Sequence, residues 1–433
     1  MKRRIRFLCS LMVCAVVLLC CVQPASAAID FESLLISVKS RPEIVQFVSS
    51  QYSSVFAVLY DDGTVGVGGV ASYDDDEHLQ DVYEPVTKWK NVKKLYLNAN
   101  TLIGLCKDGT VLSVGPKWDQ NHVPLNTTKL KNVVDVAFME PDTRYFFLLE
   151  DGTVEQISEG DKDYVSFEPF YGVYKKWKNV EKLIPYYYYD IFALFEDGSV
   201  ESMAGDDVPK NWSNIRDLYV EGKFYGLKDD GNVVVYTPNP DVYPLLPSEA
   251  VCLAGAKELY SVGEVMFGLS NNGNLLVNGG KDWFFDTYGE DFHLSKSNWS
   301  KFTDITQLIA SKGYGLEYVV ALREDGKAVA LNQDINKYLS YLPKMEKLAM
   351  CFAQDGTTYI CGMEKDGNVV GVEITMSDSV VIHKDDFYGW NVDDLYATKS
   401  GNIVGFCDDG SFLTTYDSEE NFLEYMPPVR GKK

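Results

Sequence analysis

One pattern recurs along this chain: an apolar run, then Asp-Gly or Asn-Gly, then a second apolar run. It appears as FAVLYDDGTVGVGG, LIGLCKDGTVLSVG, FFLLEDGTVEQIS, IFALFEDGSVESMAG and YGLKDDGNVVVYT. It continues as FGLSNNGNLLVNGG, VVALREDGKAVALN, ICGMEKDGNVVGVE and VGFCDDGSFLTTY. The turn glycines are Gly63, Gly109, Gly152, Gly198, Gly231, Gly273, Gly326, Gly367 and Gly410, on average about 43 residues apart. Each unit reads as a β-hairpin, because Asp-Gly and Asn-Gly favour tight positive-φ turns whose twist matches paired strands. A further short strand precedes most hairpins, as in VKKLYL, VVDVAF, VEKLIP, IRDLYV and VDDLYA, with apolar and charged residues alternating at the period of a half-buried strand. Several units carry one more extended piece ending in tryptophan: Trp89-x-Asn91, Trp177-x-Asn179 and Trp212-x-Asn214, with Trp390-Asn391 as a looser version. These tryptophans are expected to pack between neighbouring units rather than to stack on a sugar.

Four short strands in each of nine repeats specify an all-β fold, a β-propeller of about seven to nine blades. A parallel β-helix would need shorter coils and could not use such tight turns. The spacing is least regular from Gly198 to Gly231 and from Gly273 to Gly326, so the blade count is weakest there. Helical patterning is nearly absent. No Pro-, Gly- or Ser-rich linker interrupts the chain, and residues 28–433 read as a single propeller domain.

The beginning of the chain reads differently. Lys2, Arg3, Arg4 and Arg6 precede an apolar run from Phe7 to Val22, followed by QPASAA. Residues 1–27 are therefore expected to be a signal peptide cleaved after Ala25-Ser26-Ala27, which directs the chain to the cell envelope or the exterior. The competing readings are a membrane anchor, for which the run is short, and lipid attachment at Cys20 or Cys21, where the preceding leucine is bulky. No later segment has the length and apolarity of a membrane span.

The net charge is −23, and removal of the four basic residues of the leader makes it more negative still. That balance argues against nucleic acid or an anionic membrane as partner and favours a basic surface or simple solvation. Five cysteines remain after the leader: Cys106, Cys252, Cys351, Cys361 and Cys407. An odd number in so long a chain is not a disulfide framework. Cys106 and Cys407 read as small core residues, and a hairpin could bring Cys351 to Cys361.

The hairpin motif resembles the bacterial versions of the regulator-of-chromosome-condensation repeats. LCKDGTVLSVG and LYDDGTVGVGG carry the likeness, which extends over nearly all of residues 44–416. The family's histidine before the second strand and its Trp-Gly after the third are absent. The resemblance implies a propeller, often seven-bladed, that works as a binding platform. The eukaryotic founder exchanges nucleotide on a small GTPase and binds chromatin, roles for which no residues carry over here. An exported bacterial member inhibits a β-lactamase through loops on one propeller face, a closer analogue in compartment, although fold alone does not transfer function.

Motifs for chemistry are sparse. His78, His122, His293 and His383 are widely separated and form no metal-ligand spacing. No nucleophile elbow or phosphate loop is present. The acidic stretch Asp74 to Asp81 lacks the spaced ligands and turn glycine of a calcium loop and reads as a solvated loop. No cofactor, metal site or catalytic residue is expected. The most distinctive candidate for recognition is the run Tyr186, Tyr187, Tyr188 and Tyr189. It falls between the first and second strands of its repeat, where other repeats have polar connectors such as LNANT. Alternation sends Tyr186 and Tyr188 one way and Tyr187 and Tyr189 the other. The run either covers the blade or recognises a partner, for which tyrosine is well suited. Phe170, Tyr171 and Tyr174, with Phe167, form a second aromatic loop, and Trp283-Phe284-Phe285 a third on the opposite rim or outer edge. The expected function is an exported, non-enzymatic platform for a protein or peptide. The alternatives are a glycan-binding propeller and, behind it, a hydrolase using carboxylates at the channel mouth.

Overall fold

Each Asp-Gly unit folds as expected into an antiparallel hairpin, and the strand before it pairs with the hairpin's first arm. The computed structural model describes residues 42–50, 55–70, 82–116, 125–138, 144–158, 172–186, 190–205, 207–240, 245, 249–262, 265–288, 294–313, 316–340, 342–352, 358–374, 380–383, 387, 389–415 and 422–425. They form nine antiparallel sheets in chain order. Blade 1 contains Ile44–Ser49, Phe56–Tyr60 and Val65–Val70; blade 2 contains Val92–Asn98, Thr101–Cys106 and Val111–Val114. Blade 3 contains Val133–Phe138, Arg144–Leu149 and Val154–Ser158; blade 4, Val180–Tyr186, Asp190–Phe195 and Val200–Ser202. Blade 5 contains Ile215–Glu221, Lys223–Lys228 and Val233–Tyr236; blade 6, Ala256–Val262, Val265–Ser270 and Leu275–Val277. Blade 7 contains Ile305–Gly313, Leu316–Arg323 and Ala328–Ala330; blade 8, Met345–Phe352, Thr358–Glu364, Val369–Ile374 and Val380–His383; blade 9, Asp394–Ala397, Ile403–Phe406 and Phe412–Thr414. The two irregular intervals each hold a complete sheet, so the described residues form nine blades and not the seven often found in the family that the motif resembles.

The core is distributed over the seams between blades. Nine clusters of buried apolar side chains join blade 1 to 2, 2 to 3 and so on, and the ninth joins blade 9 back to blade 1. In that closing seam Phe47 of blade 1 stacks on Tyr396 of blade 9 at 4.7 Å, and Phe56 meets Phe412 edge-on at 5.1 Å. The chain therefore closes into a ring, a β-propeller. Strand Phe422–Tyr425 returns to pair with Val65–Val70 of blade 1, so both ends of the propeller sequence meet in one sheet. Middle strands such as Phe56–Tyr60 and Thr101–Cys106 are buried throughout, because a blade is covered by a neighbour on each face. This is why they read as unbroken apolar runs.

The turns are one residue longer than the tightest positive-φ hairpin turns that Asp-Gly and Asn-Gly favour. Gly63 N donates to Tyr60 O at 2.9 Å and Tyr60 N to Thr64 O at 3.0 Å, a type I turn followed by a glycine at φ 79°. The aspartate reinforces this loop in eight of the nine blades. Asp62 Oδ1 accepts from the N–H and hydroxyl of Thr64 at 2.9 and 2.6 Å, and this local clamp fixes a three-residue loop. The same backbone bond forms at Asp108, Asp151, Asp197, Asp230, Asp325, Asp366 and Asp409.

The extended piece ending in tryptophan is not a fourth strand. Glu84–Lys88 and Val173–Lys176 are short 3-10 turns, packed on the third strands of blades 1 and 3. Pro85, at the start of the first turn, has no N–H to give a sheet ladder. A fourth strand is present only in blades 1 and 8 among the described residues. Trp89 and Trp177 are buried in the seams, as expected, at 7% and 3% exposure. The helices Gly280–Tyr288 and Gln333–Leu339 cover the outer edges of blades 6 and 7, where the sequence showed no clear helical period. Cys106, Cys252, Cys351, Cys361 and Cys407 are all free. Cys351 lies opposite Tyr359 and Cys361 opposite Ala349, so the two are offset in register and unbridged. Cys106 is buried and Cys407 half-buried against the core.

Candidate functional site

The repeat builds two rims of different character. On one, the turn glycines of seven blades are latched to the next blade among the described residues. The carbonyl of Gly63 accepts from Val92 N at 3.1 Å, Gly109 from Val133 N at 3.0 Å and Gly152 from Val180 N at 3.1 Å. Gly273, Gly326 and Gly367 make the same bond to Ile305, Met345 and Val392. The return bonds run from Lys107 N to Asn91 O and from Glu150 N to Asn132 O, both at 2.8 Å. Asn91, Asn132, Asn179 and Asn214 hold φ between 56° and 60° in this latch. Asparagine tolerates that region better than most residues, and this is the physical meaning of the Trp-x-Asn motif.

Four carboxylates of this rim are held in their ionised form. The hydroxyl and N–H of Thr110 bond Asp108, and those of Thr153 bond Asp151, which keeps both carboxyls below their ordinary value. Asp197 and Asp230 are lowered in the same way by Ser199 and Asn232. A group whose folded pKa is depressed contributes stability above its unfolded pKa and loses it as pH falls through the folded value. The fold should therefore weaken below about pH 4, where free aspartate takes up its proton. Changing Asp108, Asp151, Asp197 and Asp230 to Asn keeps an acceptor and removes the titration. Denaturant midpoints measured against pH should fall less steeply on the acid side for that variant than for the parent. Parallel curves would show that the turns do not carry the acid sensitivity.

The opposite rim carries the connectors between first and second strands, and these vary. Blade 5 uses the single residue Gly222, blade 2 uses residues 99–100, and blade 1 uses residues 50–55. The tetra-tyrosine run lies here, in blade 4. Tyr186 ends the first strand and pairs with Asp190 across the connector. It is half-buried, its ring 5.9 Å from Phe192, and its hydroxyl accepts from Gly222 N of blade 5 at 3.3 Å. Tyr186 thus joins two blades. Asp190 is fully buried and accepts from Ser202 Oγ at 2.5 Å, Ile191 N at 2.7 Å and Ala204 N at 2.9 Å. Both feet of the connector are therefore fixed by packing and hydrogen bonds. Tyr187, Tyr188 and Tyr189 lie outside the described residues, as do Phe170 and Tyr171.

Tyr174 does not belong to a surface patch. It is 7% exposed, meets Phe146 edge-on at 5.5 Å and belongs to the seam between blades 3 and 4. It occupies the inward position of its 3-10 turn, three residues before Trp177, as Val86 does before Trp89. Phe284 and Phe285 are likewise buried, in the seam between blades 6 and 7. His78, His122, His293 and the acidic run 74–81 lie outside the described residues.

A polar girdle missed by sequence reasoning runs along the first strands, which approach one another around the inside of the ring. Lys94 of blade 2 pairs with Asp135 of blade 3 at 2.7 Å; Lys182 pairs with Asp217, and Lys347 with Asp394, across the next blades in the same direction. Tyrosines join two of these pairs from the same strand as the aspartate: Tyr219 donates to Asp217 at 3.1 Å and Tyr396 to Asp394 at 2.6 Å. Gln46 and Gln307 do the same work with an amide, bonding both backbone groups of Leu95 and of Leu348 at 2.8 to 2.9 Å. A β-bulge precedes each of these residues in blades 1 to 8 and turns the side chain toward the neighbouring blade. Its trace in the sequence is the pair of adjacent polar residues, Lys93-Lys94 or Arg216-Asp217, that breaks strict alternation.

The girdle is charge-compensated. Burial and the Asp217 charge push the Tyr219 phenol up to about 12, and burial with Asp135 raises Tyr96 further. Burial lowers Lys347, which sits 3.5 Å above the Tyr396 ring as well as against Asp394. The hydroxyl of Tyr260 holds Glu258 below the ordinary carboxylate value. A glycosidase acid needs the opposite displacement.

No family model matches this chain, and no curated protein matches it in sequence. Among solved structures it is similar to Prp20p from Saccharomyces cerevisiae, with 14% identity over 87% of this chain and 84% of that one, at a TM-score of 0.33. It is also similar to yeast RCC1 (Prp20) bound to Kap60, with 13% identity, 87% and 81% coverage and a TM-score of 0.32. The WD40 β-propeller domain of Doa1 follows with 12% identity, 88% and 97% coverage and a TM-score of 0.28. At these scores the likeness carries no argument of its own, and the assignment rests on nine sheets joined by nine seams: the chain is a nine-bladed β-propeller.

Proposed function

We propose that this chain is an exported, non-enzymatic propeller that binds a protein or peptide through the connector rim. The observation that carries this reading is the contrast between the rims. One is locked by repeated backbone latches; the other varies in length from blade to blade and carries the tetra-tyrosine run on fixed feet. Recognition loops on a rigid scaffold are the common way such folds bind. Alternation along an extended chain would send Tyr187 and Tyr189 away from the inward-packed Tyr186, and we assign the contact to those two residues. The acidic composition favours a partner with a basic surface.

The test immobilises residues 28–433 and offers cell-envelope proteins and a glycan panel in parallel, then repeats both with Tyr187→Ala/Tyr189→Ala. The expected result is a protein retained by the parent and lost by the double variant at unchanged thermal stability. Glycan retention with the same loss would replace the protein partner by a carbohydrate. Retention unaffected by the substitutions would place the contact elsewhere, and no retention at all would remove the platform reading.

A further inference from the structure

Eight of the nine Asp-Gly-type turns place an aspartate before glycine, and its carboxylate accepts the N–H two residues on. Blade 6 departs from this: its turn is Asn271-Asn272-Gly273, both asparagines are exposed, and Asn274 N donates to Ser270 Oγ at 3.0 Å instead. The Asn272 amide makes no hydrogen bond to the described residues. A second Asn-Gly pair, Asn278-Gly279, lies only a few residues on. Asn278 is fully buried, its Oδ1 accepts from Met266 N at 3.1 Å, and its amide nitrogen lies 3.5 Å from the Tyr225 hydroxyl. The chain therefore presents the same dipeptide twice, once exposed and unheld, once buried and clamped.

We propose that Asn272 is a site of spontaneous deamidation whose aspartate product gives blade 6 the carboxylate clamp that the other eight turns already have. The Gly273 nitrogen attacks Cγ of Asn272, a new C–N bond closes the succinimide ring, and the Cγ–NH2 bond breaks. The departing amine takes the proton of the glycine nitrogen and leaves as ammonia. Water then opens the ring at one of its two carbonyls, giving aspartate or isoaspartate at position 272. Glycine is the favourable follower because no side chain screens its nitrogen. The Gly273 N–H is bonded to Ser270 O at 3.0 Å, so the turn must loosen before attack, and the folded protein reacts more slowly than an unfolded chain. At Asn278 the amide is additionally pinned in the core.

The two products have opposite consequences. Aspartate can accept from Asn274 N–H as Asp62 does from Thr64. Isoaspartate lengthens the backbone by one carbon in a turn whose glycine carbonyl must reach Ile305 N at 3.0 Å. The experiment incubates the full chain, folded, in mildly alkaline buffer and follows both positions by peptide mapping and mass spectrometry, with a denaturant-unfolded sample alongside. Deamidation should accumulate at Asn272 and not at Asn278 in the folded chain, and at both when unfolded. The aspartate-bearing fraction should match Asn272→Asp in charge and in slowed amide exchange at Asn274. Equal rates at the two positions in the folded chain, or reaction at Asn272 only after unfolding, would overturn the assignment.

Discussion

Gly152→Ala should destabilise the propeller by about 3 kcal/mol, the sum of left-handed backbone strain and forced packing. Gly152 holds φ 74°, and a Cβ there would lie 2.5 Å from both the N and the Cα of Asn179. Those atoms cannot swing aside, because Asn179 O accepts from Glu196 N at 3.0 Å and Gly152 O accepts from Val180 N at 3.1 Å. Gly205 supplies an internal reference. It holds φ 88° with nothing within 4 Å of an added Cβ, so Gly205→Ala reports the backbone strain alone, about 1–2 kcal/mol. Equilibrium denaturation of the two variants should separate them by the cost of breaking one latch. Equal losses would mean that the latch yields, and the rigid-rim argument for where recognition occurs would weaken with it.

The repeated turns and their latches explain why the fold was so legible in the sequence. A turn that fixes glycine in every repeat and aspartate in eight of them leaves a repeated signature, and middle strands buried on both faces leave unbroken apolar runs. What was not legible depends on contacts between repeats rather than within them. The blade number is set by how the ring closes, through Phe47 against Tyr396 and the pairing of Phe422–Tyr425 with blade 1, and neither follows from local pattern. The piece before each tryptophan looked extended, but a third strand already offered a covered edge, so the chain turned and buried Val86 or Tyr174 instead.

The same distinction separates the parts of the candidate site. Tyr186 was expected in the connector and instead ends the first strand, one position short of it, because its address depends mainly on repeat register. Tyr174 was misread because aromatic residues near a loop look alike in sequence, whether they face water or a neighbouring blade. Its spacing before Trp177 matches that of Val86 before Trp89, and this equivalence was the available signal. The girdle of Lys94, Lys182 and Lys347 was missed for a related reason. A lone lysine on a strand reads as solvated, and only the bulge and the facing aspartate of the next blade turn it inward.

The seams contain a size rule that a double-mutant cycle can expose. An added Cβ at Gly104 would lie 2.8 Å from Trp89 Cζ3, and one at Gly226 equally close to Trp212. Where the tryptophan position is Leu130, the glycine position is Phe147, and both are buried in one cluster. Ala193 accompanies Trp177. Large and small thus exchange places while the seam stays filled, as close packing demands. Gly104→Phe alone should cost more than about 3 kcal/mol, since the new ring and Trp89 claim the same volume. Trp89→Leu alone should cost about 2–4 kcal/mol through the space it vacates. The double variant reproduces the Leu130/Phe147 arrangement and should recover much of the loss, with a coupling energy of about 2 kcal/mol. Thermal or denaturant midpoints of the four proteins measure that coupling directly. Additive losses would show that the seams accept only their own side chains, and that the resemblance between blades stops at the backbone.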